Sequence, residues 1–215
     1  MNELLTRTVV GAMLIAVALA SALFGGTVFA VLVALIATVM YIEWSRMVGQ
    51  WGFNWRLFGF FYCLMPAISL LWIRERYIPD SIGPKPDLLV WVFLVVWSTD
   101  IGAYFAGRAI GGPRLAPSIS PNKTVAGLMG GIAAATLIAG AWAAWLSMPP
   151  LLIWLAPPFA FAAQMGDLFE SGLKRRAGVK DSGTWLPGHG GLLDRLDGLV
   201  PVAILTAGLM AAGAL

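Results

Sequence analysis

The sequence predicts an all-α fold: a polytopic bundle of about seven membrane-spanning helices, one transmembrane domain over residues 1–215, with the N-terminus in the cytoplasm. Three observations carry this. Of the 215 residues, 59% are hydrophobic and only 12% charged, against about a quarter charged in soluble domains. Charged residues are missing altogether from two long stretches, Thr8 to Ile42 and Thr124 to Gly166. The regular apolar–polar alternation of a membrane barrel is absent, so backbone groups must be satisfied inside helices.

The elements follow in order. A single helix from Thr8 to Ile42 would measure about 50 Å at 1.5 Å per residue, too long for a hydrocarbon core of about 30 Å. Gly25-Gly26 offers the turn, giving spans near 8–24 and 27–46. Arg7, an apolar stretch and the small residues "ALASA" imitate a secretory leader, but a second span after only a glycine turn favours a helical hairpin. A third span is predicted from Leu57 to Ile73 and a fourth from Leu88 to about Gly107. Pro149-Pro150 splits the second charge-free stretch into a fifth and a sixth span, with Pro157-Pro158 a candidate break inside the sixth. The seventh occupies Leu192 to Leu215.

Charge sets the orientation. One face collects Arg7, Arg46, Arg56, Arg108, Arg114, Lys123, Lys174, Arg175, Arg176, Lys180 and Arg195, the other only Arg74, Arg76 and Lys85. The basic face is cytoplasmic by the positive-inside rule. Trp44, Trp51 and Trp55 fit an interfacial belt on that side. Cys63 is the sole cysteine, so no intrachain disulfide can form. A net charge of +3 gives no case for nucleic acid as a partner.

Polar residues intrude on the helices at a few places. Asp100 interrupts the fourth span, at a cost of about 2.5–3.5 kcal/mol on insertion scales, and therefore faces a cavity or a partner. Tyr104 and Arg108 share its helix face, so a structural Asp–Arg or Asp–Lys pair and a functional site are both open. In "RLAPSISPNKTVAG" (114–127), Ser118, Ser120, Asn122, Lys123 and Thr124 suit phosphate at a helix start; a short loop with a capping Thr has the same look. The sixth span ends in Gln164, Asp167, Glu170, Ser171 and Lys174. Lys174, Arg175, Arg176 and Lys180 also suit anionic headgroups, but headgroup attraction leaves Asp167 and Glu170 unexplained.

"GHGGLLDRLDG" (188–198) places Asp194 and Asp197 three residues apart at the start of the seventh span. The helix dipole favours one carboxylate there, but not two beside His189, Arg195 and three glycines. With Asp167 they make a hard-oxygen set suited to Mg²⁺, which uses one or two carboxylates and fills its shell with phosphate and water. An acidic centre in a basic ring at the inner membrane surface points to phosphoryl or nucleotidyl transfer on a lipid. His189 has neither a zinc-site partner nor a triad, and a loop hydrogen bond is an equal reading of it.

Residues 171–197, "SGLKRRAGVKDSGTWLPGHGGLLDRLD", resemble the signature of the phosphatidate cytidylyltransferases, or CDP-diacylglycerol synthases. The shared elements are Ser171, Lys174, Arg175, Lys180, Asp181, Gly183, Pro187, His189, Gly190, Gly191, Asp194, Arg195 and Asp197. The likeness extends to "GDLFES" (166–171), "SPNKTVAG" (120–127) and "STDIGAYFAGR" (98–108), so 86–215 is the expected catalytic region and 1–85 supplies N-terminal helices. The resemblance implies transfer of CMP from CTP to phosphatidic acid in the bacterial cytoplasmic membrane, with an active site facing the cytoplasm. It also implies a need for Mg²⁺ and a homodimer, and leaves open whether a monovalent cation takes part. Carried over, Asp167 and Asp194 are the metal carboxylates, and Asp194, Lys174 and Asp167 the catalytic set. Ser171, Arg175, Lys180, Asp181, His189, Arg195, Asp197, Lys123, Ser120, Asp100 and Arg108 are the candidate substrate contacts.

Three rivals differ in specific ways. CDP-alcohol phosphotransferases share the fragment Asp194–Gly198, but the Ala-Arg and the later aspartates of their pattern are missing. A CTP-dependent polyprenol kinase would release CDP instead of pyrophosphate. An ion or proton transporter would need polar residues through the membrane depth, where only Asp100 and Tyr104 qualify.

Overall fold

The computed structural model describes residues 3–76, 86–186 and 190–215. The N-terminal part is three antiparallel helices, α1 (Glu3–Phe24), α2 (Gly26–Met47) and α3 (Phe53–Arg74). Next come α4 (Asp87–Ile110), the strands β1 (Arg114–Ala116) and β2 (Ser120–Thr124), α5 (Val125–Trp145) and α6 (Leu151–Arg176). The short α7 (Leu193–Leu196) and α8 (Leu199–Ala211) complete the order. Among the described residues, α2 to α6 are long and apolar enough to cross a membrane, and Thr8–Phe24 and Leu199–Ala211 are shorter apolar helices. The protein is a multi-pass helical membrane protein.

The predicted turns appear where glycine and proline placed them. Gly25 has φ 62° between α1 and α2, a conformation cheap only for glycine. Arg74, buried at the end of α3, closes this turn by donating from Nε to the Ala22 carbonyl and from its guanidinium to that of Leu23 (3.2 Å). Open carbonyls at a helix C-terminus are thereby satisfied by a cation. The α4–α5 pair is packed backbone to backbone. A Cβ on Gly131 would lie 2.7 Å from the Thr99 carbonyl oxygen, and one on Gly102 2.6 Å from that of Gly130. Small residues permit such approach between membrane helices.

Four details differ from the sequence expectations. Residues 114–124 form an antiparallel hairpin, not a loop, pairing Arg114 with Thr124 and Ala116 with Ser120. The fold is therefore a helical bundle carrying one small β-ribbon. The seventh helix loses its regular hydrogen bonding at Asp197-Gly198, where both residues keep helical dihedrals but Pro201 has no N–H for the Asp197 carbonyl; this leaves α8 with 13 residues, a rise of about 20 Å. Pro157 and Pro158 lie inside a continuous α6 and do not line the cleft described below. Trp44 is fully buried, its indole N–H donating to the Trp55 carbonyl (2.9 Å), so it belongs to the core and not to a surface belt. Trp51 and Trp55 instead carry the Arg176 guanidinium at 4.5 and 5.0 Å from their ring centroids, a cation–π contact.

Two apolar clusters result. The larger joins α1 to α6 and α8 through residues such as Phe29, Ile73, Trp91, Leu152 and Val202. The smaller, with Met40, Trp44, Leu173, Leu193 and Val200, ties α2 and α3 to the segment that carries Asp194.

Candidate functional site

The site forms where α4, the β-ribbon, the last turns of α6 and residues 181–198 meet. Thr124 is the N-cap of α5, its Oγ1 accepting the Gly127 N–H (3.0 Å), so the capping reading of the loop is correct for that residue. This cap fixes Lys123, one residue earlier, where it forms an ion pair with Asp167 of α6. Ser171, one turn further on, donates to Asp167 Oδ1 (3.2 Å).

Lys174 occupies the next turn of the same helix face. Its Nζ is 3.1 Å from Glu170 Oε1 and 2.6 Å from Asp194 Oδ1. Asp194 Oδ2 accepts two backbone N–H groups, from Ser182 (2.9 Å) and Gly191 (2.8 Å). Burial alone would push the Asp194 carboxyl up. Hydrogen bonding with Glu170 and Lys174 and the Gly191 N–H outweigh it and hold the group below the usual carboxylate range. Asp197, at the junction of α7 and α8, accepts the Gly198 N–H (2.7 Å). Burial, with the nearby Asp167 and Asp100 carboxylates, raises it well above that range. The junction is seated by Gly166, where any Cβ would overlap the Asp197 carbonyl oxygen and meet the Pro201 ring.

These groups line a cleft of about 1180 Å³. Its polar end holds Asp100, Arg108, Arg114, Ser120, Asn122, Lys123, Asp167, Lys174, Asp181, Asp194, Arg195 and Asp197. It continues into an apolar end between α1, α2, α3 and α4, lined by Leu14, Val33, Met40, Ala67 and Phe93 among others. Arg108 donates to the Tyr104 hydroxyl (3.0 Å), and Asp100 has Asp167, Lys123 and Arg195 as its charged neighbours.

Not every expected residue reaches the cleft. Ser171 is buried behind Asp167. Arg175 is exposed and braces the ribbon turn, its Nε donating to the Ile119 carbonyl (3.2 Å). Lys180 is exposed and outside the lining. His189 lies outside the described residues. The sequence reading missed Glu43 of α2, fully buried, whose carboxylate accepts the N–H groups of Leu192 (3.0 Å) and Leu193 (2.8 Å) and the Ser182 hydroxyl (3.1 Å). The signal was present: Glu43 is a carboxylate inside a predicted span, the feature that singled out Asp100.

The donor chemistry suits a hard cation. Among the described residues no three His, Cys, Asp or Glu side chains form a metal-binding group, but Mg²⁺ needs only one or two carboxylates when phosphate and water complete its shell. Asp167, ion-paired with Lys123, and Asp197 both line the cleft; burial and the neighbouring Asp167 and Asp100 favour the neutral form of Asp197, and a bound cation would favour its carboxylate instead. Asp194 has fewer lone pairs left, since its oxygens take three donors.

Fold and site together define a multi-pass membrane protein with a charged cleft that can hold phosphate groups beside an apolar one. The family is specific: residues 61–212 match the model of the Cytidylyltransferase family, and the chain belongs to it. Among its relatives is a Brucella suis protein named phosphatidate cytidylyltransferase, 48% identical over 171 residues, which are 74% of this chain and 58% of the relative. Proteins of the same name from Pseudomonas aeruginosa and Staphylococcus epidermidis are 39% identical over 184 residues and 41% over 139. Those matches cover 83% and 63% of this chain and 66% and 53% of the two relatives. The chain thus spans about 58% of the length of the Brucella relative.

Proposed function

We propose that the protein transfers CMP from CTP to phosphatidic acid, releasing pyrophosphate and forming CDP-diacylglycerol for phospholipid synthesis. The observation that carries this reading is the single cleft, cationic and acidic at one end and apolar at the other. Such a cleft suits a phosphate headgroup on a lipid tail, with room for a nucleotide beside it. In this reading seven helices cross the bacterial cytoplasmic membrane, the N-terminus and the polar end face the cytoplasm, and the protein works as a homodimer.

The chain's own residues do most of the work. The lipid phosphate is already anionic at neutral pH and needs no strong base to attack the α-phosphorus of CTP. The barrier is charge crowding, which fixed cations relieve while aligning the reactants. Lys123, Lys174 and Arg195 line the cleft and neutralise phosphate oxygens there. Asp194 holds Lys174 extended across the site, and Ser171 and Lys123 orient Asp167. Mg²⁺, held by Asp167 with Asp197 or Asp194, would supply Lewis-acid neutralisation of the triphosphate.

The test is incubation of purified protein with α-labelled CTP, phosphatidate and Mg²⁺. CDP-diacylglycerol and pyrophosphate are the expected products. CDP with a phosphorylated lipid would replace this reading by a kinase, and ion flux without CTP would replace it by a transporter.

A further inference from the structure

We infer that Glu43 is a positioning residue: a carboxylate contributed by α2 that clamps the two backbone segments on which Asp194 and Lys174 depend. It rests on the proposed transfer reaction, but its residue lies outside the 61–212 region that defines the family match.

The geometry is reciprocal. Asp194 takes the Ser182 and Gly191 N–H groups, while Glu43 takes the Ser182 hydroxyl and the N–H groups of the two residues after Gly191. Two carboxylates therefore hold the same pair of segments, each drawing donors from both. Asp194 faces the cleft, and Glu43 is 0% exposed behind it. The segments are shaped to admit this side chain. A Cβ on Gly183 would overlap Glu43 Oε1, and one on Gly191 would lie 2.7 Å from Glu43 Oε2 and overlap the Ser182 hydroxyl. Two glycines of the Lys-Asp to Asp-Arg-x-Asp stretch are thus accounted for by a residue some 140 positions earlier, since Ser182 and Glu43 are 139 apart.

The chemistry requires an acceptor at both oxygens. Oε1 accepts Leu192 N–H, and Oε2 accepts Leu193 N–H and the Ser182 hydroxyl. A glutamine of the same shape must point its NH₂ at one of two backbone N–H groups, whichever way it is turned. Glu43→Gln therefore keeps the packing and breaks the clamp, releasing Asp194 and with it Lys174.

Two measurements on the full-length protein in detergent test this. Amide exchange at Leu192 and Leu193 in Glu43→Gln should quicken by about tenfold, as for the loss of one hydrogen bond of net strength. The kcat for CDP-lipid formation should fall by about 10²-fold, the scale of a misplaced reacting group, with the KM for phosphatidate unchanged and Glu43→Asp intermediate. Ser182→Ala removes one donor without disturbing the fold and should give a smaller loss of the same kind. Unchanged exchange in both variants, or exchange that quickens with kcat held within about twofold, overturns the inference. If wild-type protein makes no CDP-lipid at all, the functional reading fails while the exchange result still decides the clamp.

Discussion

Lys174 is the residue on which most of the site's charge converges. Its ammonium contacts two carboxyl groups that are almost wholly shielded, Glu170 and Asp194. Lys174→Met leaves the Asp194 carboxylate without its cation and should cost about 3–5 kcal/mol, the range for breaking a buried pair. Thermal unfolding in detergent reads this directly, and a melting temperature equal to wild type would refute the pairing. Asp194→Asn should lower kcat by about 10²-fold while protein is still made and inserted, because the amide cannot hold both the lysine and two N–H donors; near-normal CTP-dependent activity would contradict it. Protonation provides a third check. The Asp194 carboxyl is held below its ordinary value, so its contribution is complete above about pH 4, near the unfolded aspartate value, and disappears as pH falls through the lower, folded one. Unfolding midpoints in detergent should fall on acidification in that window, and the part of the slope due to Asp194 should vanish in Asp194→Asn. Much of this centre was legible from residue types alone: Asp167, Lys174 and Asp194 intrude where an apolar helix has no use for them. Arg175 and Lys180 satisfied the same spacing yet serve the ribbon or the surface, since motif position does not reveal which side of a helix end faces a cleft.

At the scale of elements, α7 and its junction with α8 carry Asp194 and Asp197 to the cleft. Leu192, Asp197 and Gly198 all keep right-handed helical dihedrals, so the two carboxylates sit a turn apart on one side of the helix, Asp194 bonded to the 182–191 backbone and Asp197 close to Asp167 and Asp100. Gly166 makes room for that junction. Gly166→Val should push it off α6, costing about 1–3 kcal/mol as overpacking does and lowering activity more than stability. Equal activity in Gly166→Val membranes would mean that the junction is not held by α6. Helix starts and turns at Gly25-Gly26 and Pro149-Pro150 were readable because glycine and proline punctuate regular structure by their own dihedral limits. The β-ribbon was not, because five residues of mixed polarity such as "SPNKT" carry no periodicity. The interruption at Asp197-Gly198 had a signal that the sequence reading passed over: Pro201 has no N–H to give the carbonyl four residues before it.

The whole molecule joins two halves that the sequence kept apart. Residues before 61 fall outside the family match, yet α1 and α2 form much of the apolar end of the cleft, and Glu43 reaches the segment beneath Asp194. Filling that end should separate lipid from nucleotide. Ala37→Phe, on the α2 wall of the cleft, is expected to raise the KM for phosphatidate by about tenfold, roughly the worth of a clash over one or two methylenes, and to leave the KM for CTP unchanged. A rise in both would show that the tail does not lie there. No periodicity argument could have placed α2 beside residues 182–193, because the contact joins one carboxylate and two glycines, with Met40 and Trp44 packed near Leu193, across 139 positions of sequence.

The Arg74 cap has a consequence for biosynthesis. Its guanidinium closes carbonyls that leave the ribosome long before it, since the Ala22 acceptor precedes it by 52 residues. Until the end of α3 has been made, the Ala22 and Leu23 carbonyls lack this donor. A nascent chain stalled short of Arg74 should be cut at the Gly25-Gly26 turn by an added protease that spares the finished protein. The order of translation is in this sense written into the fold, as a latch that the third helix carries for the first.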